Sequence, residues 1–235
     1  RNTTHGEEAS LVWLCPKRPT GRAVVWLDDR GKAALRTAAG VPTRAVQTLL
    51  DAGVAVLGAD LLFQGGAPVK QTRVVENPRE APCYTFGYNH ALFAQRAHDV
   101  LSIVTLLGRP AGGSGPIAKK VAVAGWGGTG PIVAAARAVA RGAIDRAVVD
   151  TGGFRFGRLL DYRAPMFLPG GAKYLDLPGM IALGAGHPVW LAGEGGEAPD
   201  VVAAAYRAAG TPGALVTFSG EAGQKEDAAV TWLLQ

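Results

Sequence analysis

The sequence predicts an α/β domain, a mostly parallel sheet with helices on both faces. Short, wholly apolar runs at 23–27, 54–59, 121–124 and 189–192 have the composition of strands buried on both sides. Between several of them lie longer stretches with apolar residues at helical spacing. Glycine, at 33 of 235 residues, is abundant enough to serve many tight strand-to-helix turns. Strands alternating with helices in this way pair in parallel, because each crossover helix returns the chain to the same edge.

The totals are those of a single globular domain over 1–235, with 48% hydrophobic and 18% charged residues. No internal repeat or boundary interrupts it. No uninterrupted apolar stretch reaches 18 residues, so no membrane span is expected. The net charge of +5 is scattered, with Lys119-Lys120 the tightest pair and no aromatic-basic patch, so nucleic acid is not an expected partner. Cys15 and Cys83 can form one disulfide or none. The sequence begins at Arg1 without a signal peptide, which is expected of a piece of a longer protein.

In chain order, 1–10 is polar and irregular, and 11–15 (LVWLC) is a strand stopped by Pro16 and Pro19. A second strand at 23–27 ends in the loop Asp28-Asp29-Arg30-Gly31. Residues 43–52 read as a helix with Thr43 as N-cap and Gly53 as stop. The strand 54–59 ends at Asp60, and 61–88 is a long excursion rich in turn residues. A helix covers 90–107, with Arg96 and Asp99 spaced to pair on its surface. After a Pro/Gly/Ser loop at 109–116 come the strand 121–124, a glycine turn, and a helix at 132–141 opened by Pro131. The strand 144–149 ends at Asp150, and 151–186 is a second long insertion with one short helix near 175–183. A strand at 189–192, a helix at 199–209, a strand at 214–218 and a closing helix at 226–234 complete the chain.

The turn after 121–124 reads G-W-G-G-T-G-P from Gly125 to Pro131. A strand, a tight glycine turn and a helix N-terminus direct backbone N–H groups at whatever lies above the sheet edge. One reading is a dinucleotide fingerprint, G-x-G-x-x-G, on Gly125, Gly127 and Gly130, with Asp150 placed to hold a ribose hydroxyl. The bulk of Trp126 and the segments that precede this strand weigh against it. The other reading is a nucleophile elbow, G-x-S-x-G, with Gly127 standing where the serine belongs.

Several stretches in order, GRAVVWLDDRGKAA, GVAVLGADLLFQGG, NHALFAQRAHDVLSIVTLLG, VAVAGWGGTGP, IDRAVVDTGGFRF and PVWLAGE, resemble the α/β-hydrolase superfamily near its acetyl xylan esterase and dienelactone hydrolase-like members. The resemblance runs from about Leu11 to Leu234 and implies a three-layer sandwich. It also implies a Ser-His-acid triad at the strand ends. The elbow serine position maps to Gly127 and the acid to Glu194, but the segment after Phe218 reads SGEAGQKEDAAVTWLLQ, without histidine. The oxyanion hole would use backbone N–H groups at Gly128 and Asp29, in a loop whose two aspartates disfavour a developing anion.

Other residues offer chemistry, each with a plainer alternative. His5, His90, His98 and His187 read as surface or structural, and Thr129 and Ser219 as structural hydroxyls. Cys83 beside His90 is a conceivable nucleophile, though a buried or bonded cysteine is the plainer reading. Asp28, Asp60, Tyr84, Trp126, Asp150 and Phe154 are expected on the rim of a pocket. The acids lack the His or Cys spacing of a transition-metal site, leaving only a carboxylate Ca²⁺ or Mg²⁺ site to consider, and neither metal nor cofactor is expected. The resemblance then implies a domain without its own triad, partnering a catalytic esterase domain of a longer tandem protein, forming a homo-oligomer, or binding carbohydrate in a secreted or periplasmic setting. An ester hydrolase with a non-standard or partner-supplied nucleophile and an NAD(P)-binding domain are the two alternatives.

Overall fold

A computed structural model of the chain describes residues 6, 8–65, 86–108 and 118–235. The expectations for Cys83, Tyr84 and His5, the loop at 109–116 and most of the excursion at 61–88 lie outside the described residues. Seven strands form one sheet in the order β1-β3-β2-β4-β5-β6-β7. They are β1 (Ser10–Leu14), β2 (Arg22–Leu27), β3 (Ala55–Asp60), β4 (Lys120–Gly125), β5 (Arg146–Asp150), β6 (Val189–Ala192) and β7 (Leu215–Thr217). β1 is antiparallel to β3 and every other pair is parallel. The helices are α1 (Arg44–Asp51), α2 (Leu92–Gly108), α3 (Gly130–Ala140), α4 (Asp176–Ala182), α5 (Asp200–Ala208) and α6 (Lys225–Leu234).

Strand alternation divides the core into two layers. Val25 and Leu27 of β2 face one side, where they meet Phe93, Val100 and Val104 of α2 and Ile132 and Val133 of α3. Val24 and Trp26 face the other, where they meet Val46 and Leu49 of α1 and Val230 and Leu233 of α6. Past their first residues, Arg22 and Lys120, β2 and β4 are apolar because both faces of the sheet are covered. Among the described residues, no helix is long and apolar enough to cross a membrane.

Local chemistry sets the ends of the elements. Thr43 caps α1, its hydroxyl accepting from the Val46 N–H at 3.4 Å. Arg146 caps the other end of the fold, donating to the Trp232 carbonyl at 2.8 Å while its guanidinium lies 4.9 Å from the Trp232 ring centroid. Arg22 donates to the carbonyls of Leu233 and Leu234. Two cations thus satisfy the terminal carbonyls of α6 and fix it against the sheet.

Two features differ from the sequence reading. β5 begins at Arg146 rather than at 144, because 141–143 form a 3₁₀ turn and the Asp145 carboxylate accepts from the Val121 N–H at 2.7 Å. Arg96 and Asp99 do not serve a solvent-facing helix surface. Arg96 is buried and donates to the Leu62 and Phe63 carbonyls, while Asp99 accepts from the Leu62 N–H, so both hold the loop after β3.

α3 packs backbone to backbone on β5. A Cβ at Gly130 would lie 1.8 Å from the Asp150 carbonyl oxygen, and one at Gly125 2.6 Å from Val133 Cγ2. Gly130→Ala is therefore expected to lower unfolding stability by about 3 kcal/mol or more, because backbone must move to admit the methyl group. Gly142→Ala, where a Cβ meets nothing within 4 Å, is expected to stay within about 0.5 kcal/mol of the parent. Urea denaturation of the two variants checks both values.

Candidate functional site

The carboxyl ends of the parallel strands share one edge, where α/β sheets place their chemistry. The register puts Leu27 of β2 opposite Gly125 of β4, and the Trp126 N–H donates to the Leu27 carbonyl at 3.0 Å. The loops beginning at Asp28 and Trp126 therefore leave the sheet side by side. Gly127 has φ +57°, a left-handed conformation, and is exposed. Residues 127–129 form one 3₁₀ turn leading into α3. The buried Thr129 hydroxyl closes that turn, accepting from the Trp126 N–H at 3.0 Å and donating to its carbonyl at 2.9 Å. The turn thus has the strand-turn-helix form of an elbow, with a hydrogen atom at its crest.

The Asp29 carboxylate lies over that crest. Asp29 Oδ2 accepts from the Gly128 N–H at 2.9 Å. A Cβ at Gly127 would lie 2.5 Å from Asp29 Oδ2, and one at Gly128 2.7 Å from Asp29 Oδ1. Asp29 was expected to lend its backbone N–H to an oxyanion hole. What it brings to the elbow is a side-chain acceptor.

The remaining strand-end acids are held in separate local pairs. Glu194 accepts from Arg155 at 3.0 and 2.5 Å and from the Thr151 hydroxyl at 2.5 Å. This charge-assisted contact holds the Arg155 guanidinium above its ordinary pKa. Asp150 pairs with Lys225 at 2.8 Å. Asp60 pairs with Lys32 and accepts from the Lys32 N–H at 2.9 Å. Asp28 accepts from the Arg30 side chain at 2.9 Å, and its hydrogen bond and charge raise the Arg30 guanidinium. Burial, with Asp28 adding to it, pushes the Glu226 carboxyl up from the usual carboxylate range. Among the described residues, no group of three or more His, Cys, Asp or Glu side chains is arranged to hold a metal ion.

The aromatic rim is drawn differently from the expectation. Trp126 is buried, its ring 5.1 Å from Trp26 and 6.3 Å from Trp190, because φ +57° at Gly127 turns the chain outward only after Trp126 has been packed beneath the edge. Phe154 is half-buried and packs edge-on against Phe156 at 5.0 Å. Two glycines of the dinucleotide pattern lie in close packing. The space at Gly125 and Gly130 is taken by Val133 and by Asp150 backbone, and the Asp150 carboxylate is paired with Lys225.

Among the described residues, the histidines stand apart from Gly127 and Glu194. His187 precedes β6 and so lies at the opposite end of the sheet from Gly127, with its carbonyl accepting from Tyr206 at 2.9 Å. His98 lies within α2, and His90 is exposed. Residues 218–224, where the resemblance led to the expectation of a base, contain none. Ser219 and Cys15 are exposed. The cations Lys32, Arg155 and Lys225 escaped the sequence reading. Each lies 28 to 75 residues from the acid that it holds, so no local spacing marks the pair.

The chain has the α/β-hydrolase fold. It superposes on Est1E from Butyrivibrio proteoclasticus with ferulic acid bound, at TM-score 0.56 and 16% identity, covering 96% of this chain and 94% of that one. It also superposes on acetyl xylan esterase 1 from a Thermoanaerobacterium species, at TM-score 0.55 and 14% identity, covering 95% and 78%. A carbohydrate esterase family 15 glucuronoyl esterase from Caldicellulosiruptor kristjansonii gives TM-score 0.58 and 14% identity, covering 95% and 70%. No protein-family model and no curated protein sequence matches the chain.

Glu226 supplies a pH test of this edge. Its carboxyl is raised in the folded state, so its contribution is most favourable at acid pH and is lost as pH rises through the folded pKa. Glu226→Gln is expected to melt higher than the parent at pH 7 to 8, by the equivalent of under about 1 kcal/mol for a partly exposed group. The gap should close below about pH 4, where the glutamic acid is neutral in both states. Melting temperature against pH for the two proteins measures it.

Proposed function

We propose that this chain is a non-catalytic α/β-hydrolase-fold domain that serves a carbohydrate-esterase system as a structural or substrate-binding partner of a catalytic esterase domain. The observation that carries the proposal is Gly127: the elbow keeps its left-handed backbone and has no side chain to attack a carbonyl. Two further features support it. The segment 218–224 holds no imidazole, and Glu194, the acid position, is committed to Arg155 and Thr151. Nucleophile and base act as a unit in this chemistry, so losing both removes the mechanism rather than weakening it. The names of structural neighbours, an acetyl xylan esterase and a glucuronoyl esterase, support a carbohydrate ester as the substrate class of that system.

Turnover of p-nitrophenyl acetate by the isolated chain is expected to equal buffer hydrolysis, and Gly127→Ser alone is expected to leave it there. Turnover by the parent that disappears in His90→Ala or Cys83→Ala would overturn the reading. Co-purification of an active esterase domain with the tagged chain is the expected positive result.

A further inference from the structure

The register of β2 on β4 determines what faces the elbow. In an elbow of this form, the developing oxyanion is held by the N–H of the residue after the nucleophile and by an N–H from the loop after the neighbouring strand. Here the first donor is Gly128, and its N–H is already engaged by Asp29 Oδ2 at 2.9 Å. The second donor would come from the loop after β2, which is the loop that sends Asp29 across. The anion and the donor that would bind an anion therefore belong to one chain.

Space gives the same result by an independent route. A serine at 127 would place its Cβ 2.5 Å from Asp29 Oδ2, far inside van der Waals contact. Asp29 is exposed, so a side chain at 127 would have to turn its carboxylate away from the Gly128 N–H. Gly128 repeats the constraint, with Asp29 Oδ1 2.7 Å from the position of its Cβ. Arg96 is buried and tied to the Leu62 and Phe63 carbonyls; burial lowers its guanidinium, and the charges of Asp29 and Asp99 act against that.

We propose that Asp29 is a built-in anion that occupies the oxyanion position of the elbow and closes the crest to carboxylates and ester oxyanions from solution. The inference rests on reading Gly127 as the elbow position and does not depend on whether the chain has activity. A domain closed in this way presents carboxylate oxygen, not amide hydrogen, to anything that approaches Gly127. Ligands bearing hydroxyl or ammonium donors are compatible with such a crest, and anionic ones are rejected.

The test uses the full 235-residue chain, labelled with ¹⁵N, as the parent and as Asp29→Ala and Asp29→Ser, with sodium formate as the probe and sodium chloride at equal ionic strength as the reference. The Gly128 amide proton is expected furthest downfield in the parent, and its exchange there about tenfold or more slower than in the variants, the size of a hydrogen bond to a charged group. Formate is expected to move the Gly128 resonance in both variants and to leave the parent unmoved. Three results would overturn the proposal: equal Gly128 shifts in parent and variants, a formate-induced shift in the parent, or no formate response in either variant. The serine variant carries the readout if the alanine variant does not fold. None of these signals measures turnover, so their failure is separable from failure of the functional proposal.

Discussion

The pairing of β2 with β4 is the constraint on which the rest of the site depends. Because Leu27 lies opposite Gly125, the two following loops emerge together and Asp29 meets Gly128. A slip of one residue would turn every side chain of β2 to the other face of the sheet and separate the layers that Val25 and Val24 define. The buried, largely apolar character of these two strands makes that slip costly, so the geometry of the crest is inherited from the core. Gly130 completes the arrangement by letting α3 approach β5 closely enough to bring the elbow to its tight form.

Charge at this edge is organised for structure. Asp28, Asp60, Asp150 and Glu194 each have a cation within ion-pair distance. Pairs of this kind position loops: Lys225 ties the start of α6 to the end of β5, and Arg155 ties the insertion after β5 to the end of β6. A catalytic acid needs to face a base, whereas Glu194 faces a guanidinium and a hydroxyl.

Much of the fold was legible in the sequence, for physical reasons. The parallel strands are continuous apolar runs, and 189–192 was bounded to the residue because Pro188 and Gly193 close it. Thr43 and Gly53 marked both ends of α1 through capping and positive φ, which are local properties. The antiparallel setting of β1 and the inward turn of Arg96 were not legible, because both are decided by partners far along the chain. The strand-turn-helix at 121–141 was legible from its apolar run, its glycines and Pro131. What covers it was not, since Asp29 and Gly128 are 99 residues apart and only the sheet register brings them into contact. Trp126 was misplaced for a related reason. A large aromatic in a turn reads as rim, and only the backbone angle of the next residue shows that it points into the core.

The proposal that the crest carries no reactive group is tested most directly by intact-protein mass spectrometry after exposure of the folded chain to a fluorophosphonate. An unmodified mass is expected, since Gly127 offers no oxygen and no imidazole lies in 218–224 to activate another. A stoichiometric adduct that forms on the folded chain and fails to form on chain denatured before exposure would contradict it.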